Sequence, residues 1–206
     1  MSSTRLVKRG LDVVVASLVL VATSPLVAVA AVCTVVEDGF PVLYRQDRPG
    51  RGGRAFPIAK LRSMRVHDTH PKDMGQVDGD HPLVTRTGRI IRRTKVDELP
   101  QLLSVLRGDM SLVGPRPGLL EQVDGYDAHQ RRRLEVTPGL TGWAQVCGGV
   151  ALPWPDRIDL DVWYVDHWSL RLDLRILVRT VRVILRGDAV DHEALEAAHA
   201  HARRPY

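Results

Sequence analysis

The sequence predicts a mostly helical α+β fold that is anchored to a membrane by its N-terminal segment. Three observations predict it: a long uncharged run near the N-terminus, several stretches with helical apolar periodicity after it, and two short extended pieces around a glycine-rich turn. The chain has 206 residues, enough for one domain with a sizeable core. We expect an interfacial and re-entrant membrane helix at residues 1–38, a folded domain at 39–188 and a tail at 189–206.

The N-terminal run carries no charge from Val13 to Val36. As a helix it would be roughly 36 Å long, more than the ~30 Å hydrocarbon core of a bilayer. Ser24 and Pro25 lie in its middle, and the proline predicts a break because it has no N–H and crowds an earlier carbonyl. The serine hydroxyl can satisfy a backbone group that the break frees in lipid. A cleaved signal peptide is disfavoured, since the run is too long for its hydrophobic region and lacks a suitable cleavage site.

Basic residues flank this run on both sides. Three precede it, Arg5, Lys8 and Arg9, and six follow it closely, Arg45, Arg48, Arg51, Arg54, Lys60 and Arg62. Both flanks therefore favour the cytoplasmic side of a membrane. A helix that enters the bilayer and returns satisfies both flanks, whereas a straight spanning helix satisfies one. We therefore predict a re-entrant helix rather than a spanning one.

The stretch after the apolar run predicts a small β-hairpin. In PVLYRQDRPGRGGRAFPIAKLRSM, residues 41–64, two extended pieces flank a Pro-Gly and Gly-Gly turn. Residues 66–82 are rich in His, Asp, Gly and Pro and predict an exposed loop. A helix is expected from about Thr94 to Leu106, ended by Gly108.

Further helices are predicted along the second half of the chain. GLLEQVDGYDAHQRRRLE forms one that is interrupted at Gly125, and TPGLTGWAQVCGG contains a turn and a short strand. DRIDLDVWYVDHW and DLRILVRTVRVILRGD form two more helices. The end of the chain, HEALEAAHAHARRPY, predicts a frayed helical end or a disordered segment without an evident function.

A basic stripe begins at Arg171 and continues along the helix predicted in DLRILVRTVRVILRGD. Its arginines follow each other at spacings of 4, 4, 3 and 4, namely Arg171, Arg175, Arg179, Arg182 and Arg186. Apolar residues are expected on the opposite face, namely Leu174, Leu177, Val181 and Ile184. The helix is either an ordinary surface helix on a globular core or an amphipathic helix that lies on an anionic membrane. The spacing alone allows both.

The chain is basic, with 29 Lys and Arg against 24 Asp and Glu and a formal net charge of +5. This favours an anionic partner such as a phosphorylated substrate or a negatively charged membrane face. Aromatic residues make up only 5%, which argues against stacking platforms for single-stranded nucleic acid, so we expect no nucleic-acid partner. The two cysteines, Cys33 and Cys147, form no recognisable disulfide framework, and a reducing compartment is the simpler interpretation.

Two adjacent acids, Asp97 and Glu98, begin the segment DELPQLLSVL. One interpretation is helix capping, with Thr94 as the N-cap and Asp97 three residues later. The other is a site for a metal-bound phosphate ester, because basic residues crowd the pair, namely Arg89, Arg92, Arg93, Lys95 and Arg116. An arginine fork matches phosphate oxygens, and Mg2+ prefers one or two carboxylates together with substrate phosphates. Cationic neighbours and the helix N-terminus are expected to keep Asp97 ionised.

An ionised carboxylate in such a site can act as a nucleophile toward phosphorus. The obstacle is repulsion between anions, about 4 kcal/mol per charge pair at about 4 Å and an effective dielectric of roughly 20. A divalent ion and one or two arginines supply the right order of charge to offset this repulsion.

Motifs along the chain carry a close resemblance to one family. In order they are KRGLD, SP within the apolar run, KLRSM, GRIIRRTKVDELPQLLSVLRGDMSLVGPRP, TPGLTGWAQV and LDVWYVDHWSLRLDLRIL. With these motifs the chain resembles the bacterial sugar transferases, the monotopic polyprenyl-phosphate phosphoglycosyl transferases, over roughly residues 5–188. DELPQL with GDMSLVGPRP is highly specific to that family.

The resemblance implies a monotopic enzyme at the cytoplasmic face of the bacterial cytoplasmic membrane, with residues 39–188 as its catalytic domain. It would transfer a phospho-sugar from a UDP-sugar to undecaprenyl phosphate, release UMP, use Mg2+ and form a covalent phospho-sugar intermediate on an aspartate. This would be the first membrane step of glycoconjugate or exopolysaccharide assembly. Membrane lipids would surround the enzyme, and downstream glycosyltransferases are potential partners.

The family motifs also imply roles for individual residues. Asp97 would be the nucleophile, with Glu98 assisting the metal or a proton transfer, and both would be candidate metal ligands. The phosphate-binding candidates are Arg116, the prolines Pro115 and Pro117 that bracket it, Arg92 and Lys60.

A second group of residues would serve the membrane side. The candidates at the interface near the polyprenyl phosphate are Lys8, Arg9 and Asp12, and the break of the re-entrant helix is assigned to Ser24 and Pro25. Asp161 and Tyr164 match a D-x-x-Y segment of the family, which serves either the active site or packing.

The chain departs from the family pattern in two places. Leu61-Arg62-Ser63-Met64 stands where many relatives read Phe-Arg-Thr-Met, a mild change. Cys147-Gly148-Gly149 stands where many read Asn-Gly-Arg, which weakens the case for nucleotide or sugar contacts from this loop.

Two other functions are alternatives to the transferase. A membrane-anchored basic adaptor that binds anionic lipid or nucleic acid accounts for the net charge and the arginine stripe, but it explains the acidic pair only as a helix cap. A phosphodiesterase that hydrolyses the same donor would release UMP without a lipid acceptor.

Overall fold

The computed structural model describes residues 3–65, 81–187 and 189–203. Within them the helices are α1 (Ser3–Asp38), α2 (Arg86–Arg93), α3 (Leu102–Arg107), α4 (Leu120–Asp124), α5 (Ala128–Arg131), α6 (Trp143–Val146), α7 (Trp154–His167), α8 (Leu170–Arg186) and α9 (His192–Ala202). The strands are β1 (Leu43–Pro49), β2 (Ala55–Leu61), β3 (Ser111–Val113) and β4 (Gly139–Thr141). Short 3-10 helices occupy Arg51–Gly53, Val96–Gln101, Arg132–Leu134 and Gly149–Ala151. The mostly helical α+β class is confirmed, and the loop predicted at 66–82 lies outside the described residues except for His81 and Pro82.

Helix α1 is helical over its full length, with Pro25 inside it. The hydroxyls of Thr23 and Ser24 donate to the carbonyl oxygens of Val19 (2.7 Å) and Val21 (2.8 Å). By length and composition α1 could cross a membrane, and only 11% of its most apolar window is buried against the rest of the chain. The long apolar N-terminal helix is therefore confirmed, whereas the break at Ser24-Pro25 and the re-entry stay predictions.

Two separate parts of α1 pack on the rest of the protein. Ala16 is fully buried in the main core, and Ala30 is buried in a second, smaller cluster. Between them Val21 and Leu26 are exposed. The helix therefore contacts the folded domain on both sides of Ser24-Pro25.

The predicted hairpin is confirmed by strands β1 and β2. They pair antiparallel from Leu43 opposite Leu61 to Pro49 opposite Ala55. The turn between them contains glycines with positive φ, including Gly52 at 69°, a conformation that favours glycine. The hairpin places one face of β2 against the 3-10 helix Val96–Gln101.

The segment around the acidic pair differs from the single helix predicted at 94–106. Thr94 is the C-cap of α2, and its hydroxyl donates to the carbonyl of Ile90 (2.8 Å), so the predicted capping box is wrong. Lys95 follows with φ 59°, a left-handed conformation that is uncommon outside glycine and that occurs at strained functional sites. The chain then forms the 3-10 helix and α3, which ends at Gly108 as predicted.

Strand β3 was not predicted, and it pairs parallel with the predicted strand β4. The backbones approach closely just beyond this ladder, since a Cβ atom on Gly139 would lie 2.1 Å from the amide nitrogen of Gly114. Only glycine fits such an approach without a backbone shift. The contact fixes the start of the Gly-Pro-Arg-Pro loop that follows β3.

The remaining helices cover the core. One of them, α9, was not predicted to pack against it. The predicted interruption at Gly125 is confirmed, because it separates α4 from α5. Helix α9 packs against α7, with Ala198 fully buried and Asp191 accepting from the Ala194 amide at 3.0 Å as N-cap. The prediction of a frayed or disordered end is therefore wrong for α9.

Helix α8 contacts the core through Leu172 and Ile176, which are buried. On the side away from the core it exposes apolar residues, namely Leu174, Val178, Val181, Ile184 and Leu185. Of the apolar face predicted from spacing, only Leu177 packs against the core. An ordinary surface helix would turn its apolar residues inward, so the exposed face favours the membrane interpretation.

Candidate active site

The acidic pair, Asp97 and Glu98, lies on a 3-10 helix between α1 and β2. The first residue of this helix, Val96, packs with Ala30 of α1 and Leu61 of β2. The pair is thus fixed by contacts with the apolar N-terminal helix on one side and the hairpin on the other.

Glu98 is the fully hydrogen-bonded member of the pair. Arg116 donates from Nη1 to Oε2 (3.0 Å) and from Nη2 to Oε1, and Lys60 donates from Nζ to Oε1 (3.1 Å). Burial alone would raise the pKa of Glu98, but the charge and hydrogen bonds of Arg116, and then those of Lys60, outweigh it and hold that pKa well below its usual range. Glu98 is therefore a permanent anion that orients two cations.

Asp97 has an unused carboxylate oxygen. The residue is 8% exposed, and its Oδ1 atom is buried without a hydrogen-bond partner among the described residues. Burial, and next the charge of Glu98, raise the pKa of Asp97 to about 6, against the lowering effects of Lys60, Lys95 and Arg116. The charged form predicted for Asp97 therefore still predominates at pH 7, although the cationic neighbours lower this pKa less than burial and Glu98 raise it.

Three cationic side chains from separate segments flank the pair: Arg48 of β1, Lys60 of β2 and Arg116 of the loop after β3. Arg48 donates from Nη1 to the carbonyl of Gly118 (2.8 Å), which ties β1 to the Gly-Pro-Arg-Pro loop. Burial lowers the pKa of Arg48, and the charge of Arg116 lowers it further. Burial also lowers the pKa of Lys60, although Glu98 opposes this effect. Cations that are crowded and partly desolvated in this way favour the binding of a polyanion such as a diphosphate.

The predicted phosphate residues occupy different positions relative to the pair. Arg116 and Lys60 contact Glu98 directly, whereas Arg92 lies half-buried in the last turn of α2. Pro115 and Pro117 bracket Arg116, and the carbonyl of Pro115 accepts a hydrogen bond from the amide of Gly139 at 3.0 Å. These two prolines restrict the backbone of the loop. The positive charges near the acidic pair come from Arg116 of the loop and from Arg48 and Lys60 of the hairpin.

Arg133 holds the backbone of Arg116. Its Nη2 atom donates to the Arg116 carbonyl (2.7 Å) and to Oδ2 of Asp161 (2.6 Å), and its Nη1 atom donates to the Tyr126 hydroxyl (2.9 Å). The Arg133 and Asp161 side chains are only 4% and 3% exposed, so this is a buried ion pair. Asp161 therefore contacts the Gly-Pro-Arg-Pro loop indirectly, through Arg133.

Lys8 connects the start of α1 to the strand that precedes the Gly-Pro-Arg-Pro loop. It donates to Oδ2 of Asp173 (2.6 Å) and to the carbonyl of Val113 (3.0 Å). The hydroxyl of Tyr164 donates to Oδ1 of the same Asp173 (2.6 Å) and is 1% exposed. Tyr164 is thus a packing and positioning residue beneath the loop.

Arg9 and Asp12 also contact the folded domain. Arg9 donates to the carbonyls of Val105 and Leu106 (2.7 Å for the latter), which lie in the last turn of α3. Asp12 accepts from the hydroxyl of Ser111 (2.8 Å) and from the amide of Leu112 (3.1 Å). The three candidates at the start of α1 lock this helix to β3 and α3, and their contact with a polyprenyl phosphate stays a prediction.

The Cys147 loop has a structural role. Cys147 is fully buried, its carbonyl accepts from the amide of Asp191 (2.9 Å), and Arg179 Nη1 lies 3.6 Å from its sulfur. Burial raises the pKa of the thiol to about 12, so this cysteine is chemically inert at neutral pH. In this chain the loop supports the start of α9.

Three residues of the site were not predicted from the sequence, because their partners are distant along the chain and come close only in the folded protein. Arg48 was counted only as a flanking charge, and Arg133 and Asp173 were not singled out at all. Arg133 lies 17 residues from its partner Arg116, and Asp173 lies 165 residues from Lys8. The arginine-rich run that contains Arg133 was visible in the sequence, but nothing there identified which arginine is buried.

The carboxylates partly fit a magnesium ion. Among the described residues no cluster of three or more His, Cys, Asp or Glu could hold a metal ion. Both oxygens of Glu98 already accept hydrogen bonds, whereas Oδ1 of Asp97 accepts none there. This donor set fits an ion that Asp97 shares with substrate phosphates, because Mg2+ commonly takes few protein carboxylates.

The chain matches known proteins over most of its length. A family model described as bacterial sugar transferase matches residues 3–187. The chain is 44% identical over 186 residues to the uncharacterized sugar transferase EpsL of Bacillus subtilis, covering 90% of each chain. It is 46% identical over 190 residues to the UDP-glucose:undecaprenyl-phosphate glucose-1-phosphate transferase of Caulobacter vibrioides, covering 88% of this chain and 70% of that protein.

One longer relative is matched by this chain over less than half of the relative's own length. The chain is 38% identical over 200 residues to the undecaprenyl-phosphate galactose phosphotransferase of Salmonella typhimurium, which covers 90% of this chain and 42% of that protein. A match over 88–90% of this chain spans the segment that carries the acidic pair and the Gly-Pro-Arg-Pro loop. The family model and the extent of these matches show that the chain belongs to the bacterial sugar transferase family.

Proposed function

We propose that this protein transfers a sugar 1-phosphate from a UDP-sugar to undecaprenyl phosphate and so initiates polysaccharide assembly. The single observation that carries the proposal is the asymmetric acidic pair, in which Glu98 is saturated by Arg116 and Lys60 while Asp97 keeps a free oxygen. A nucleophile and a fixed set of phosphate-binding cations are the two parts that phosphoryl transfer requires.

The reaction proceeds in two displacements at the phosphorus that bears the sugar. In the first, a carboxylate oxygen of Asp97 bonds to that phosphorus and the bond to the bridging oxygen breaks, so that UMP leaves. In the second, a phosphate oxygen of the lipid bonds to the same phosphorus and the Asp97 oxygen departs. The products are the lipid diphosphate sugar and the free carboxylate.

The cations determine where the diphosphate lies. Glu98 holds the guanidinium of Arg116, and Arg133 holds its backbone carbonyl. Arg116 therefore presents an oriented guanidinium to the phosphates. Lys60 and Arg48 add charge from the hairpin side, and their partial burial strengthens each interaction. Mg2+ held by Asp97 and the substrate phosphates would neutralise further negative charge.

We place the protein at the cytoplasmic face of the bacterial cytoplasmic membrane, with α1 re-entering the bilayer. Support comes from both ends of α1, which the same domain holds: Lys8 pairs with Asp173, and Glu37 accepts from the amides of Arg86 (2.7 Å) and Thr87 (2.8 Å). A helix that crossed the bilayer would leave its two ends on opposite sides. The exposed apolar face of α8 supports a further contact with the membrane surface.

The test is UMP release from a panel of UDP-sugars with undecaprenyl phosphate in detergent, with and without Mg2+. The panel includes UDP-glucose and UDP-galactose. Acceptor-dependent turnover on one donor is the expected result. UMP release at the same rate without lipid would identify a phosphodiesterase, and salt-sensitive binding without turnover would identify an adaptor.

A further inference from the structure

A cavity of about 340 Å³ lies at the corner between α7 and α8, outside the active site. It is lined by two aromatic side chains, two arginines, a serine and a leucine, namely Trp163, His167, Ser169, Arg171, Leu172 and Arg175. None of the residues of the acidic pair or of the Gly-Pro-Arg-Pro loop lines it.

The cationic side of this cavity consists of Arg171 and Arg175, one helical turn apart on α8. Both side chains are exposed, and neither has a hydrogen bond or an ion pair within the parts of the chain that the structure describes. The next arginine of the stripe differs, because Arg179 pairs with Asp191 (2.7 Å) and lies over the ring of Trp143 (5.0 Å). The charge of Arg175 also acts on Asp191, but the N–H groups of both arginines at the cavity remain available for an anionic ligand.

The rest of the lining is mainly aromatic and apolar, and its rings are stacked. The ring of Trp163 stacks on Trp143 (centroids 5.4 Å apart) and on His167 (4.2 Å), and the neighbouring Leu172 is 8% exposed. A site with a cationic rim and a fixed apolar wall matches an amphiphile that carries a phosphate next to hydrocarbon.

The position of the cavity identifies the source of that phosphate. Asp173, next to the lining residue Leu172, pairs with Lys8, which lies just before the uncharged run of α1. The exposed apolar face of α8 begins at Leu174 and continues through Val178. The cavity thus lies at the level where apolar surface begins, which is the headgroup layer for a protein anchored by α1.

We propose that this cavity binds the phosphodiester headgroup of an anionic membrane lipid. The site rests on the membrane location proposed above and is independent of the transfer chemistry. Arg171 and Arg175 pair with the phosphodiester, and the first methylenes of the lipid lie against Trp163 and Leu172. General attraction to an anionic surface contributes roughly fivefold in affinity per arginine anywhere on the stripe. At the cavity, charge-assisted hydrogen bonds to the phosphodiester add to this attraction.

The experiment uses the full chain in nanodiscs of phosphatidylcholine with increasing phosphatidylglycerol, and native mass spectrometry counts the retained lipid. The test variant is Arg171→Gln with Arg175→Gln. The matched control is Arg182→Gln with Arg186→Gln, which removes the same charge from the same stripe beyond the cavity. The expected result is a loss of phosphatidylglycerol retention that is at least roughly tenfold larger in the test variant than in the control, because only the test variant also loses charge-assisted hydrogen bonds to the phosphodiester.

Three results would overturn the proposal. Equal losses in both variants would indicate diffuse attraction to the surface, and undiminished retention in the test variant would exclude the cavity. Displacement of the lipid by millimolar inorganic phosphate would indicate a site for a soluble anion. UMP release in neutral detergent is measured in parallel and is expected to be unchanged in both variants, so that failure of the proposed function and failure of this lipid site are read separately.

Discussion

Asp97 and Glu98 are neighbours in sequence, yet their carboxylates have different environments. Glu98 accepts three hydrogen bonds from Arg116 and Lys60, whereas Oδ1 of Asp97 accepts none from the described residues. A carboxylate saturated by cations is a poor nucleophile, because its lone pairs are engaged. This difference supports the proposed roles, in which Glu98 positions the cations and Asp97 attacks.

The raised pKa of Asp97 predicts how this carboxyl titrates. With a pKa of about 6, the metal-free protein holds Asp97 about half protonated near pH 6, and the charged form increases as the pH rises. Mg2+ bound at Asp97 favours the charged form and lowers the midpoint. Infrared difference spectroscopy, with Asp97→Asn to identify the band, measures both midpoints. A midpoint that does not move when Mg2+ is added would argue against Asp97 as a metal ligand.

Arg116 is expected to matter through its fork as well as its charge. Arg116→Ala removes a donor that is oriented toward phosphate, and kcat/KM should fall roughly 10²- to 10³-fold. Arg116→Lys keeps the charge but loses the bidentate geometry, so we expect an intermediate loss. Initial rates of UMP release measure both, with Arg107→Ala at the exposed end of α3 as the control. Activity of Arg116→Ala within threefold of the unmodified protein would exclude the proposed role.

At the scale of elements, the active site depends on a loop that a buried ion pair holds from behind. Replacing Arg133 by Ala removes the partner that opposes the rise of the Asp161 pKa on burial, so that Asp161 either stays an unpaired buried anion or takes up a proton. We expect this loss to cost about 3–5 kcal/mol of unfolding free energy. Arg132→Ala at the adjacent position removes the more exposed pair with Asp166 and should cost about 1 kcal/mol or less. Thermal unfolding in detergent compares the two variants. An equal loss of stability in the Arg133→Ala and Arg132→Ala variants would contradict the structural role of the buried Arg133–Asp161 pair.

A variant that stays folded can show whether Arg133 positions Arg116 in addition to stabilising the protein. Arg133→Lys keeps a cation near Asp161 but cannot reach the Tyr126 hydroxyl, Asp161 and the Arg116 carbonyl together as the guanidinium does. We expect a raised KM for the UDP-sugar with a well-folded protein. An unchanged KM would show that the Arg116 backbone needs no such support.

The elements that local patterns encode were predicted from the sequence, and those that depend on distant contacts were not. The hairpin, the interruption at Gly125 and the stop at Gly108 follow from turn residues, which act locally. Strand β3 has three residues and exists because β4 pairs with it, so no periodicity indicates it. The capping box at Thr94 matched a local pattern, but α2 continues to Arg93 and the left-handed Lys95 redirects the chain.

The candidate site shows the same division. The acidic pair, Arg116 and Lys60 were recognisable by type and motif, and the structure brings them within hydrogen-bond distance. Arg48 reaches the site on the hairpin, and Arg133 reaches it from the 3-10 helix Arg132–Leu134, next to two other arginines. Residue type predicted the chemistry, whereas burial selected which arginines take part.

At the scale of the whole molecule, α1 determines how the catalytic domain lies on the membrane. Its first part locks to β3 and α3, its last residues contact α2, and the segment around Ser24-Pro25 is exposed between them. Together with the exposed apolar face of α8, this arrangement supports the proposal that the acidic pair lies near the bilayer surface, within reach of a lipid phosphate.

Cysteine labelling tests this topology in a Cys33→Ser background, since Cys147 is buried with a pKa raised to about 12. Thr4→Cys and Asp47→Cys place a thiol on each side of the apolar run. Re-entry predicts that an impermeant maleimide labels both from the cytoplasmic side of inverted vesicles and neither from the periplasmic side of spheroplasts. Labelling of the two positions from opposite sides would establish a spanning helix.

The most direct measurement of the central claim is the mass of the protein after incubation with its UDP-sugar and Mg2+ in the absence of lipid acceptor. Attack by Asp97 predicts one equivalent of UMP, a mass increase of one phospho-sugar on the peptide that contains Asp97, and loss of this adduct when undecaprenyl phosphate is added. Asp97→Asn should form no adduct, whereas Asp109→Asn at an exposed acid should form it normally. Acceptor-dependent turnover by Asp97→Asn, or an adduct on a different residue, would contradict the account.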